Sequence, residues 1–179
     1  MPRRFFLMCL LLTVSVLRLH AACDWRAATD NELHNLIPAR APVEKERIET
    51  EFRTASGITD GSNRFVAGVV LITAGYAAEG KYSNFLISQV PIRIGKLRLA
   101  AGMYVFGWRR SGDDALQVAF YDAESGKPLG TVEAQRTSRL GHIESFHIYP
   151  PAEKTQIQIG RFAMPYELVA SNGCAPTSH

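Results

Sequence analysis

From Gly61 onward the chain is a succession of strand-length segments, each cut short by residues that reverse a backbone, and this limits the fold more than any other feature. Residues 65–73 form a continuous apolar run rich in Val, bounded by Gly61, Ser62 and Asn63 before it and Gly75 after it, a length that suits a buried strand. Strand-sized segments follow at 82–89, 92–94, 103–110, 116–122, 129–133, 143–149 and 155–162. Their separators are turn chemistry: Ser111, Gly112, Asp113 and Asp114, then Glu124 to Pro128 around Gly126, then Pro150 and Pro151. Gln156, Ile157, Gln158 and Ile159 alternate, which puts both isoleucines on one face and leaves the other wet. Short strands at close spacing predict a mainly β fold, an antiparallel β-sandwich or alternatively a partly closed β-barrel, built of hairpins joined in sequence.

The residues ahead of these strands read differently. Leu33, Leu36 and Ile37 stand at helical spacing after a capping Thr29 or Asp30, with Pro38 as a stop, so a short N-terminal helix is expected. Residues 42–53 alternate in charge and offer only Val43, Ile48 and Phe52 as large apolar positions, a pattern that fits a solvated helix or an edge strand without choosing between them. A lead of about 40 residues buries too little surface to fold alone. Residues 22–60 are therefore expected to flank a β domain at 61–170, followed by a tail at 171–179.

The first 21 residues have the layout of an export signal. Arg3 and Arg4 precede an uncharged, mostly apolar run at 5–17, and Arg18, Leu19, His20, Ala21 and Ala22 follow. That run is shorter than the roughly 20 residues a membrane-spanning helix needs. Cleavage after Ala21 or Ala22 predicts a secreted or periplasmic protein with no transmembrane span. The whole chain carries a formal +3, but the leader holds three of its 20 basic residues and none of its 17 acidic ones, so the mature chain is formally neutral. Without a net positive field, and without basic runs interleaved with aromatics, nucleic-acid binding is not expected.

Removing the leader also removes Cys9 and leaves Cys23 and Cys174. An even pair in an oxidising compartment predicts a Cys23–Cys174 disulfide, whose loop of about 150 residues is worth roughly 4–5 kcal/mol by chain entropy. A competing reading takes His20, Ala21, Ala22 and Cys23 as a lipoprotein box with a lipid anchor on Cys23.

Residues 91–104, Pro-Ile-Arg-Ile-Gly-Lys-Leu-Arg-Leu-Ala-Ala-Gly-Met-Tyr, with Gly75, Tyr76, Lys81, Tyr82, Phe106 and Gly107 around them, resemble a strand, Gly turn, Leu-x-x-Gly-x-Tyr, strand signature. Small secreted bacterial β-sandwich proteins carry it, including uncharacterised families common in Acidobacteria. The resemblance implies compartment and fold, and brings no activity with it.

Two groups of residues carry possible chemistry. His142, Ile143, Glu144, Ser145, Phe146 and His147 form the densest ionisable cluster. On a regular strand His142 and Glu144 share a face and His147 takes the other, so His142 and Glu144 are the candidate metal ligands, with His34 or Asp122 as third donor. The competing reading is an exposed polar edge. In the aromatic segment Tyr104, Phe106, Trp108 and Arg110 share one face, and Arg109 lies on the opposite one. An exposed face of this kind would stack a sugar ring or flat ligand on Tyr104 and Trp108 and meet an anionic group with Arg109 or Arg110, whereas a buried one is core packing. A Gly-x-Ser-x-Gly elbow and a phosphate-binding Gly loop are both absent from the sequence, and no cofactor is expected. The leading expectation is an exported binding module whose partner is a protein or a cell-envelope component. A small-ligand or carbohydrate-binding module is the alternative, and a metal-dependent enzyme ranks below both.

Overall fold

The computed structural model describes residues 25–74, 81–137 and 143–169. The leader, all three cysteines, His142 and the tail lie outside them, so the expected signal, disulfide and lipid anchor are not addressed by the fold. The described chain is mainly antiparallel β with one short helix. Its elements are β1 (Arg26–Ala27), α1 (Asp30–Leu36), β2 (Arg40–Val43), β3 (Glu46–Thr59), β4 (Phe65–Leu71), β5 (Asn84–Ser88), β6 (Ile92–Ile94) and β7 (Leu97–Leu99), then β8 (Gly102–Arg110), β9 (Ala115–Asp122), β10 (Pro128–Arg136), β11 (Glu144–Ile148), β12 (Gln156–Gly160) and β13 (Phe162–Leu168).

Ten strands follow one hydrogen-bonded path, β1-β3-β4-β5-β8-β9-β10-β13-β12-β11, and this sheet curls strongly into an open half-barrel. Of the two architectures expected, the partly closed barrel describes the chain. The turn residues do their expected work: Gly95 (φ +54°) turns β6 into β7, and that hairpin joins the main sheet where Tyr166 of β13 stands opposite Ile94.

Two segments depart from the sequence reading. Residues 42–53 hold no second helix: Pro42 and Val43 end β2, an edge strand paired with β3 alone, and the rest belong mostly to β3, a 14-residue strand paired with β4 on one side and, at its two ends, with β2 and β1 on the other. Residues 155–162 hold the whole of β12 and only the first residue of β13, because Gly160 (φ +56°) and Arg161 turn one into the other. Helix α1 follows its signals: Thr29 caps it in a capping box with Glu32, and it ends at Ile37, before Pro38.

The curled sheet buries both faces. On the concave side Phe106, Phe120, Leu116, Val118, Phe146, Ile148, Ile157, Met164 and Tyr166 form the main core. On the convex side Leu33 of α1, Ile37 at its C-terminal cap, and Ala41 and Val43 of β2 cover Ala67, Val69, Phe85 and Val105. Full burial of a side chain such as Leu33 stabilises by about 1.5–3 kcal/mol, which explains why the lead segment packs on the sheet.

The half-barrel stops short of closure at a seam between β3 and β11. The outer edge of β3 is paired with β2 at Glu46–Glu49 and with β1 at Ile58 and Thr59. Between those stretches β3 bulges, its register against β4 slipping between Glu51 and Ser56. β11 bulges as well, between Glu144 and His147. At one end of the seam the Ile148 N–H donates to Ser56 Oγ at 2.9 Å. At the other end a polar cleft of about 440 Å³ opens between Arg53 and Glu144.

Candidate functional site

The aromatic segment forms β8, and the structure divides its predicted residues between core, rim and convex face. Tyr104 belongs to the core, 6% exposed, and its hydroxyl donates to the Ala100 carbonyl at 2.7 Å, so it offers no ring to a ligand. Burial pushes the Tyr104 hydroxyl above its ordinary pKa, with the Asp122 carboxylate adding to the shift. Arg109 points to the convex side, where its Nε donates to Gln117 Oε1 at 2.8 Å. Trp108 and Arg110 stay together at the end of the concave face, opposite Val118 and Leu116, and Trp108 is 42% exposed.

Arg110 does not stand alone there. Its guanidinium lies 5.7 Å from the centre of the Phe162 ring, within cation–π range, although β9 and β10 separate β8 from β13 in the sheet. The curl of the sheet therefore lets one side chain reach across the mouth. Directly opposite Phe162 is Arg136, which holds Asp114 at 3.3 Å, and Arg161 stands exposed in the turn before Phe162. Among the described residues neither Arg110 nor Arg161 has a carboxylate partner. One inward-facing position from Trp108 is Phe106, whose register partner Asn84 is 2% exposed with no hydrogen-bond partner for Nδ2 among the described residues.

The rim thus combines an exposed indole, an arginine over a buried-edge aromatic and two further guanidinium groups, of which Arg136 is paired with Asp114. Phe162, Arg136, Arg161 and Asn84 were not singled out from sequence, because strand order brings them to β8 and alternation reveals faces, not neighbours. A signal of a kind existed in Gly160 and Arg161, a turn-forming pair that would have placed Arg161 at a hairpin tip.

Of the expected metal ligands the structure describes only Glu144. His142 lies outside the described residues, so the expected His142–Glu144 pair is not addressed by the structure. The bulge in β11 turns Glu144 toward His147, whose Nδ1 is 2.5 Å from Glu144 Oε2. The two candidate third donors are elsewhere: His34 stacks on Phe52 at 3.5 Å between ring centres, and Asp122 accepts from the Ser125 N–H and hydroxyl in the turn after β9. Those bonds hold the Asp122 carboxyl below its ordinary range. Among the described residues no three His, Cys, Asp or Glu side chains converge.

A second cleft, of about 460 Å³, lies between α1 and the 60–63 turn. Three of its polar side chains are committed within the fold: Gln89 Oε1 accepts from the Phe65 N–H, Thr59 Oγ1 from the Gly61 N–H, and Glu32 from Arg26 and Thr29. Among the described residues no helix is long and apolar enough to cross a membrane. Compared with protein-family models, with curated proteins and with solved structures, the chain matches none.

Proposed function

We propose that this chain is an exported binding module, secreted or periplasmic, that holds an anionic small ligand or an acidic carbohydrate of the cell envelope at the half-barrel rim. The observation that carries the reading is the position of Arg110: a guanidinium without a carboxylate partner among the described residues, supported by Phe162 and placed beside an exposed Trp108 on the same face. A planar guanidinium offers paired donors to carboxylate or phosphate, and an indole face takes the apolar side of a sugar ring. Arg161, exposed in the turn before Phe162, adds positive charge beside it, whereas Arg136 is offset by Asp114. Tyr104 is not part of the proposed site, and Arg109 serves the convex face.

A ligand at the rim is favoured over a strand-paired protein partner by the state of the sheet's free edge. β11 is five residues long, bulged and carries the polar side chains of Glu144 and His147, and such features blunt an edge against strand addition. Export rests on the leader at 1–21, and an oxidising compartment suits the proposed Cys23–Cys174 pair.

Tryptophan fluorescence tests the proposal, because Trp108 is exposed while Trp25 is buried in the core. Titration with tetragalacturonate or inorganic phosphate is expected to shift the emission saturably and more weakly as salt rises, with no response to a neutral tetrasaccharide. Arg110→Gln is expected to weaken the anion's binding by about 10–100-fold, the worth of one charge-assisted contact. Absence of a response to either anion, or equal binding by the Arg110→Gln protein, overturns the rim as the site.

A further inference from the structure

The seam holds a second arrangement that is independent of the rim. Because β11 bulges, Glu144 Oε2 lies 2.5 Å from His147 Nδ1. A carboxylate beside Nδ1 favours the tautomer that carries its proton there and leaves Nε2 as the basic atom of the ring; among the described residues Nε2 has no hydrogen-bond partner. Both side chains line the cleft of about 440 Å³, together with Arg53, Thr54 and Ser145, and Ile143, 49% exposed, forms its apolar lip. Arg53 gives Nε and Nη2 to Glu51, at 3.0 and 3.2 Å, and keeps Nη1 for another acceptor. The Thr54 hydroxyl is already used, donating to the Glu51 carbonyl and accepting from the Val70 N–H, so it is no nucleophile.

A base oriented by a carboxylate, with a cation in the same cleft, has the parts of a hydrolytic site in which water is the nucleophile. We propose that Glu144, His147 and Arg53 form a site that hydrolyses short-chain carboxylic esters. A water oxygen attacks the ester carbonyl carbon as His147 Nε2 takes its proton, and the oxyanion forms against Arg53 Nη1. Collapse breaks the bond to the alkoxy oxygen, which recovers the proton from Nε2 and leaves as the alcohol, while the acid remains as product. Glu144 stays ionised and holds the imidazolium in place, and Ile143 offers the acyl chain its apolar contact. An ester suits this site because its leaving group departs with little acid assistance.

Hydrolysis of 4-methylumbelliferyl acetate and butyrate by the full mature protein tests the proposal. Saturable turnover is expected, with a loss of about 100-fold or more in His147→Gln. His147→Ala is expected to regain activity when imidazole is added, a readout that a structural role for the residue would not produce. Glu144→Gln is expected to lower kcat with KM nearly unchanged, as befits a positioning residue. Unchanged melting temperatures separate these losses from unfolding. Turnover no faster than that of free imidazole at equal concentration, or undiminished turnover in a folded His147→Gln protein, overturns the proposal and leaves the rim untouched.

Discussion

Gly68 shows how a single missing methyl sets the depth of the core. A Cβ there would lie 2.8 Å from the Phe146 ring and 2.8 Å from the Phe85 carbonyl oxygen, closer than packed atoms tolerate. The glycine lets β11 approach β4 across the seam, with the Phe146 ring against the backbone and 6.1 Å from Phe106. Gly68→Ala is expected to destabilise by about 1–3 kcal/mol, the usual cost of overpacking, measured as a lowered midpoint in urea. Adding Phe146→Leu should recover part of that loss, because the leucine can withdraw from the new methyl whereas the Phe85 carbonyl cannot. At this scale the sequence was only partly legible. Alternation correctly paired Trp108 with Arg110 on one face. It failed at Glu144 and His147, because one additional residue in a bulge reverses which side chains meet, and no residue type in that segment announces a bulge.

At the scale of elements, α1 is held by local chemistry that can be tested apart from packing. Thr29 Oγ1 accepts from the Glu32 N–H at 3.3 Å, and the Glu32 carboxylate accepts from the Thr29 N–H at 2.8 Å. Arg26 adds two further bonds to the same carboxylate, and chiefly through them, then through Thr29, the Glu32 pKa falls to about 2. Thr29→Ala is expected to cost about 1 kcal/mol, within the range for lost N-caps. Since the folded-state pKa is depressed, the contribution of Glu32 is present above the ordinary carboxylate range and fades as pH falls from there toward 2. Thermal unfolding followed between pH 6 and 2 should therefore show a steeper loss for the parent than for Glu32→Gln. Equal slopes would mean that the cap contributes nothing specific to acid stability. This helix was readable in advance because Thr29, Glu32 and Pro38 are local signals. β3 was not: its charge alternation suits a wet helix equally well, and only pairing with β4 decides. β13 was hidden by Pro165, a residue that argues against a strand interior, yet here Pro165 stands opposite Gln156 and its carbonyl accepts from the Gly95 N–H.

For the whole molecule, the question is what ties the β6–β7 hairpin, the last hairpin of the barrel and the main core into one body. Tyr166 stands where the three meet. It faces Ile94 of β6, belongs to the concave core, and donates its hydroxyl to the Tyr149 carbonyl at 2.6 Å, just past the end of β11. Burial pushes the Tyr166 hydroxyl far above the ordinary tyrosine range, so the folded protein resists an ionisation that the unfolded chain undergoes freely near pH 10. The sign follows: stability linked to this group is complete below pH 10 and is lost as pH rises beyond it, because ionisation then favours the unfolded state. Tyr82 and Tyr104 are displaced in the same direction, each chiefly by burial, and add to the trend. Ultraviolet titration of the phenolate band is expected to show exposed tyrosines ionising first and a late, cooperative step that coincides with loss of the β-sheet circular dichroism signal. Tyr166→Phe should be less stable near neutral pH, because the Tyr149 carbonyl loses its donor, yet should show a shallower decline above pH 10. A late phenolate step that persists unaltered in Tyr166→Phe would assign the alkaline transition to other tyrosines. It would then follow that the core and the two hairpins are held together by packing of Phe106, Phe146 and Met164 rather than by this one buried hydroxyl.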